Sequence, residues 1–226
     1  RPRSPSASRS RRRCSTRRFA PSWVRRCRGR LARGDNPRVS KRAPRASASL
    51  FESGALLSQC QRYRYRLWRR WASGPQALWV MLNPSTADAA KDDATIRRCV
   101  AFATAWGCGG IVVVNLYAWR APTPEDLWRA ERDGQNIVGP ENDSTIIAAL
   151  RDPATSTRLA AWGAHAKPAR IAEVCDLVRD ERVDLVCLGR SRSGAPRHPL
   201  WLGVDTPREL FALAPRASAQ NGRGAG

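Results

Sequence analysis

The chain has 226 residues and a formal net charge of +21, enough for one domain or two small ones. Seventeen Lys and Arg and a single acid, Asp35, fall in residues 1–50, so +16 of the charge sits there and the remainder carries only +5. No run is long and apolar enough to span a bilayer and no charged-then-apolar signal is present, while seven Cys without a CxxC pair and two His argue against a disulfide framework and a zinc site.

The first fifty residues are rich in Arg, Ser, Pro and Ala and bury no periodic apolar face, so they are read as a disordered basic tail. Three origins stay open: a nucleic-acid arm, a transit peptide, or a mis-translated region upstream of the true start. The last is favoured, because the chain begins at Arg1 and its one Met is Met81.

Gln61 to Trp71 alternates Arg with Tyr, Leu or Trp, a period of two. It predicts a strand with one apolar and one solvated basic face, the latter carrying Arg62, Arg64, Arg66 and Arg69. This strand is expected to pair with 55–58 or to lie along the edge of the main sheet. Ser73-Gly74-Pro75 breaks the chain. Ala77–Leu82 is a continuous apolar run, suited to a strand buried on both faces, and it stops at Asn83-Pro84-Ser85-Thr86. A helix is expected after Asp92-Asp93, with Ile96, Cys99, Val100, Ala103 and Trp106 as its apolar stripe. Ile111–Val114 is a second buried strand, ending at Asn115-Leu116-Tyr117.

Thr123 with Pro124 behind it caps a short helix to Arg129. Glu141-Asn142-Asp143 opens another, to about Leu150. Arg158–Trp162 reads as the third strand, Ala169–Arg179 as a helix and Val183–Leu188 as the fourth strand. A loop from Arg190 to Pro199 follows, and a short helix is expected over Thr206–Leu213. Four apolar strands alternating with helices predict a single α/β domain over residues 51–213. Its expected architecture is three-layered, a four-stranded parallel sheet with helices on both faces. Residues 214–226 are read as a disordered C-terminal tail. Buried, reduced cysteines such as Cys99 and Cys187 suit a cytoplasmic protein.

Ligands of open α/β sheets bind outside the carboxyl ends of the strands. The informative residues are therefore Asn83, Pro84 and Ser85 after strand one, Asn115 and Tyr117 after strand two, Gly163 and His165 after strand three, and His198 in the loop after strand four. No Ser-His-Asp set, GxxxxGK[ST] loop or GxGxxG run accompanies them. Asp88, Asp92, Asp93, Glu141 and Asp143 read more readily as helix-start acids than as a magnesium site, although a metal-dependent nucleotide hydrolase stays an alternative. No metal or cofactor is expected. Trp79, Trp106 and Trp162 are assigned to the core, while Trp68, Trp71, Trp119 and Trp201 could stack on bases.

The runs WVMLNPSTADA, DDATIRRC, VVVNLYAWRAPTPEDL, VGPEND, AAWGAHA and LGRSRSGAPRHPLWL resemble the bacterial family known as domain of unknown function 1643, over roughly Cys60 to Leu202. The order of motifs is also similar, more distantly, to the uracil-DNA glycosylase superfamily. Leu82-Asn83-Pro84-Ser85 is similar to its GxNPG motif, Val114-Asn115-Leu116-Tyr117 to its strand ending in Asn, Trp162-Gly163-Ala164-His165-Ala166 to its LGxxA run, and His198-Pro199-Leu200 to its HPS loop. Ser85 and Leu200 depart from that pattern. The resemblance implies a uracil-DNA-glycosylase-like fold, with DNA or a nucleotide as partner. Asn83 would face the sugar C1′ and His198 would act beside it as the second catalytic residue, with Pro84, Ser85, Asn115, Tyr117 and Gly163 around the base. Arg190, Arg192, Arg197 and Trp201 would contact nucleic acid. A non-catalytic nucleic-acid-binding module is the alternative reading.

Overall fold

A computed structural model describes residues 52–85 and 87–213. The basic segment 1–50 and the C-terminal segment 214–226, with the readings made of them, lie outside the described residues. The elements run β1 (Glu52–Leu57), β2 (Arg64–Arg70), β3 (Gln76–Met81), α1 (Ala94–Ala105), β4 (Gly110–Asn115), α2 (Pro124–Arg132), α3 (Asn142–Arg151), β5 (Thr155–Ala160), α4 (Pro168–Asp180), β6 (Val186–Cys187) and β7 (Glu209–Leu210), with a 3-10 turn at Pro199–Trp201 between β6 and β7.

The strands form one seven-stranded mixed sheet in the order β1-β2-β4-β3-β5-β6-β7. This overturns the expected four-stranded parallel, three-layer sheet. β3, β4, β5 and β6 do pair in parallel, but β1 and β2 add an antiparallel ribbon beside β4, and β7 runs antiparallel to β6. Continuous apolar runs mark only strands buried on both faces, and β2 was foretold by alternation instead. β2 is largely buried and β1 and β7 largely exposed, and together they cover the edges that a bare parallel sheet would leave with unpaired N–H and C=O groups. Segment 206–213, expected as a helix, supplies β7 instead. Pro207 removes a donor there, and the Phe211 N–H donates to Leu185 O at 2.8 Å, so the chain gains more by closing the β6 edge.

Two apolar layers flank the sheet. Trp79, Met81, Ile111 and Val113 point to one side and pack on Ile96, Cys99, Phe102 and Ala103 of α1. Leu78, Val80, Val112 and Val114 point to the other and pack on residues of α2, α3 and α4, among them Leu127, Ile146 and Val174. α1 is held at its start by Asp93, whose carboxylate accepts from the Ile96 N–H, and α2 by Thr123, whose hydroxyl accepts from the Asp126 N–H. Among the described residues no helix is long and apolar enough to cross a membrane, and the described cysteines 60, 99, 108, 175 and 187 are free thiols.

As expected, β2 pairs with residues 55–57 of β1, and on its other side it pairs with β4, so it is an interior strand rather than an edge. Its arginines are not one solvated stripe, because Arg64 and Arg69 are buried at 2% and 1% exposure. Arg69 shares the face of Leu67 by simple alternation, and Arg64 joins them through a bulge. Leu57 pairs with Arg64 and Leu56 with Arg66, so Tyr65 is an extra residue and the alternation shifts there. Arg64 thereby shares the α1 side with Leu67 and Arg69. Arg69 Nε donates to Asp92 Oδ1 at 2.8 Å and its Nη2 to Asp88 O at 2.5 Å.

Candidate functional site

β3 occupies the middle of the parallel strands. The chain leaves its carboxyl end toward α1, whereas it leaves β4 and β5 toward the helices of the opposite side. Loops that part in opposite directions open a crevice at that edge. Here it is a cavity of about 570 Å³, within the size range of small-molecule sites. Its wall includes Asn83 and Ser85 after β3, Asn115 at the end of β4, Gly163 and His165 after β5, and His198, Leu200 and Trp201 from the 3-10 turn. The start of α1, from Asp93 to Ile96, and the loop 121–124 close the sides, and Arg64 reaches in from β2.

Asn115 is 1% exposed, and its Nδ2 is buried with no hydrogen-bond partner among the described residues. Trp162 Nε1, on the same wall, is in the same condition. Buried amide N–H groups are nearly always paired, and one left unpaired is costly. Two residues of the cavity wall thus hold donors without acceptors among the described residues. The backbone beneath Asn115 is held rigidly: Asn142, fully buried at the start of α3, donates from Nδ2 to Asn115 O and Leu116 O, both at 3.0 Å.

Asn83 is half-buried, and its Nδ2 donates to Pro84 O at 3.0 Å and Ala121 O at 2.9 Å. Both amide hydrogens are spent on carbonyls, so only Oδ1 is left to accept. His198 Nδ1 accepts from the Leu200 N–H at 3.3 Å. That bond puts the proton of the neutral imidazole on Nε2, which is left as a donor. Burial lowers the His198 pKa, with the Asp93 charge opposing it. A histidine kept neutral in the fold stabilises the protein above its unfolded pKa of about 6.5, and that stability is lost as the pH falls through the folded value. We expect the full chain to lose stability to urea as the pH falls below about 6.5, and His198→Gln to flatten this slope. An unchanged slope in the variant would exclude His198 as its source.

Arg64 donates from Nη1 to Ala87 O at 2.6 Å, and its Nε is buried without a partner among the described residues. Burial pushes its guanidinium down to about 10, opposed by the charge of Asp93, so it stays a cation at neutral pH. Gly163 has φ +71°, a left-handed conformation suited to glycine, and a Cβ there would stand 3.8 Å from His198 Cβ.

The fold thus gathers Asn83, Ser85, Asn115, Gly163, His165, His198 and Trp201 around one cavity and leaves Pro84, Tyr117, Arg190, Arg192 and Arg197 off its wall. Pro84 is buried behind the turn, where its carbonyl accepts from the Ala121 N–H. Tyr117 lies on the opposite side of the sheet, edge-on to Trp128, with its hydroxyl accepting from the Lys167 N–H at 3.3 Å. Arg190 packs over Phe211, at 4.7 Å from the ring centroid, and Arg192 and Arg197 are exposed on the 190–197 loop. Of the tryptophans considered for stacking, Trp68, Trp71 and Trp119 are half-buried, while Trp201 is 87% exposed at the cavity rim.

Sequence reading missed Arg64 and Asp93 as members of the site. Arg64 was hidden in an ordinary alternation, and its signal, the bulge, is set by strand pairing. Four of the five acids considered for metal are otherwise engaged. Asp92 pairs with Arg69, Asp143 with Arg170, Asp93 caps α1, and Asp88 Oδ1 accepts from the Ala90 and Lys91 N–H groups. No group of three or more His, Cys, Asp or Glu among the described residues could hold a metal ion.

Neither the curated proteins nor the solved structures contain a match to this chain. The model of one family, described as protein of unknown function (DUF1643), matches residues 64–200, from the cavity's buried arginine to the turn that carries His198 and Leu200, and the chain belongs to that family.

Proposed function

We propose that the cavity binds a nucleobase edge-on and that the domain acts on the N-glycosidic bond of that base, in nucleic acid or in a nucleotide. The observation that carries this reading is the Asn115 amide, buried at the cavity wall with no partner for Nδ2 among the described residues. A side-chain amide donates and accepts in one plane, as the edge of a base does. The likeness of the strand-end motifs to those of the uracil-DNA glycosylase superfamily supports the same reading.

In the proposed reaction a water adds through oxygen to the sugar C1′ while the C1′–N bond breaks and its electron pair departs on the base. Asn83 Oδ1 would hold that water. Asp93, a carboxylate on the cavity wall whose Oδ1 already accepts from Ile96 N, would take up its proton. The His198 Nε2–H would donate to the base as charge accumulates there. Trp201 would stack on a base at the rim, and Arg192 and Arg197 would meet phosphates. A cytoplasmic setting suits the free thiols.

The test is base release. The full chain is incubated with single- and double-stranded oligonucleotides carrying uracil, hypoxanthine, xanthine or a thymine mismatch, and abasic sites are read by cleavage. We expect release that disappears in Asn83→Ala and His198→Ala. A second reading, a binding module without catalysis, is favoured by the commitment of both Asn83 amide hydrogens to backbone carbonyls. Free-base binding without release from any substrate would select it.

A further inference from the structure

Three arginines of the domain are nearly inaccessible: Arg64 at 2%, Arg69 at 1% and Arg170 at 4% exposure. Two of them are neutralised in contact. Arg69 pairs with Asp92 at 2.8 Å, and Arg170 pairs with Asp143 and with Glu173, the latter at 2.9 Å. Arg64, the one on the cavity wall, has no ion pair among the described residues. Buried charges are ordinarily paired, because water no longer solvates them. The carboxylate of Asp93 acts on Arg64 only through its field and is partly spent on capping α1. Arg120, half-buried in the loop that borders the cavity, adds a second positive charge to the same region, and its Nε is also buried without a partner among the described residues.

The unpaired side of Arg64 has a definite shape. Nη1 is taken by Ala87 O, whereas Nε is buried with no acceptor among the described residues, and Nη2 stands beside it. Those two atoms form one edge of the guanidinium fork, the edge that grips two oxygens of a phosphate. The bulge at Tyr65 is what brings Arg64 to the side of the sheet where it lines the cavity. We propose that Arg64 is an anion-binding residue and that the ligand is a nucleotide, its terminal phosphate on Arg64 and its base on Asn115. The assignment rests on the base-binding reading above and narrows it from nucleobases to phosphorylated nucleosides. The phosphate could belong to a free mononucleotide or to the 5′ end of a strand.

The experiment is calorimetric titration of the full chain with common nucleosides, their 5′-monophosphates, inorganic phosphate and a short 5′-phosphorylated oligonucleotide, in the wild type, Arg64→Met and Arg64→Lys. The basic segment 1–50 contributes equally to every variant. We expect a monophosphate to bind at least about tenfold tighter than its nucleoside. The ratio should fall to about one in Arg64→Met with nucleoside affinity unchanged, and Arg64→Lys, which keeps the charge but not the fork, should fall between. Should Arg64→Met fail to fold, the lysine variant and the rise in wild-type Tm with inorganic phosphate, beyond that in chloride of equal ionic strength, still decide. A phosphate that adds nothing, or a ratio unchanged by the substitutions, overturns the assignment and leaves base binding standing if nucleosides still bind. Arg64-dependent binding of inorganic phosphate without any nucleoside binding upholds the anion site and removes the base reading. Tighter binding of the oligonucleotide than of the mononucleotide assigns the phosphate to a strand end, and the reverse order assigns it to a free nucleotide.

Discussion

Asn115→Ala is expected to leave the fold about as stable as the wild type while costing roughly 100-fold in affinity for a nucleobase or nucleoside, about 2.7 kcal/mol. The two halves of this expectation have one origin. The Asn115 side chain is buried, yet its Nδ2 has no acceptor among the described residues, so the folded protein bears the desolvation of an amide without the hydrogen bonds that would offset it. Alanine removes that penalty, and the void it leaves adjoins the cavity, so stability should change by no more than about 1 kcal/mol. A ligand loses the group that would pair with its edge, and sites built to pair with a polar edge discriminate strongly when the pairing is lost. Urea melts and calorimetric titration of the same variant check both halves. Unchanged affinity would remove Asn115 from the site. A loss of several kcal/mol in stability would make it a structural residue instead.

Asn142→Ala should do the opposite, destabilising the domain by about 2–4 kcal/mol through two lost buried hydrogen bonds. Asn142 is 0% exposed, and its Nδ2 bridges the carbonyls of Asn115 and Leu116 at 3.0 Å each, tying the start of α3 to the end of β4. Leu116 O keeps a second donor in Arg170 Nε at 2.8 Å. Asn115 O is therefore the acceptor most exposed to the loss, and the end of β4 should loosen there. Ligand affinity should weaken as well, although Asn142 does not line the cavity. Chemical denaturation gives the stability, and hydrogen exchange at Leu116 and Tyr117, whose N–H groups bond to Met81 O and Leu82 O, reports the loosening. A stability loss below about 1 kcal/mol, or unaltered exchange at the end of β4, would contradict this account.

These two asparagines show where sequence reading reaches and where it stops. The sequence by itself determined the interior of the sheet: ALWVML, IVVV and RLAAW are apolar runs that water would not leave exposed, and they became β3, β4 and the second half of β5. Local chemistry near each position was enough to set the Thr123 cap on α2 and the Asp93 cap on α1. It also brought Asn83, Asn115 and His198 to one edge, since parallel strands joined by helices must all end on the same side. Asn142 could be seen only as a residue at a helix start, because its partners stand 26 and 27 residues away.

Tertiary structure decided the rest. The alternation of 61–71 foretold β2, but β7 carries no comparable pattern, and it exists because an open sheet edge must find hydrogen-bond partners. Tyr117 was expected beside Asn115. β4 ends at Asn115, however, so alternation stops there and Tyr117 turns into the opposite core. Arg64 looked like one more arginine in a solvated stripe until pairing with β1 inserted Tyr65 as an extra residue and reversed the facing of everything before it. A bulge depends on which strands meet and in what register, which is a property of the folded sheet. Through it, a residue with no distinguishing local pattern became the buried cation of the candidate site.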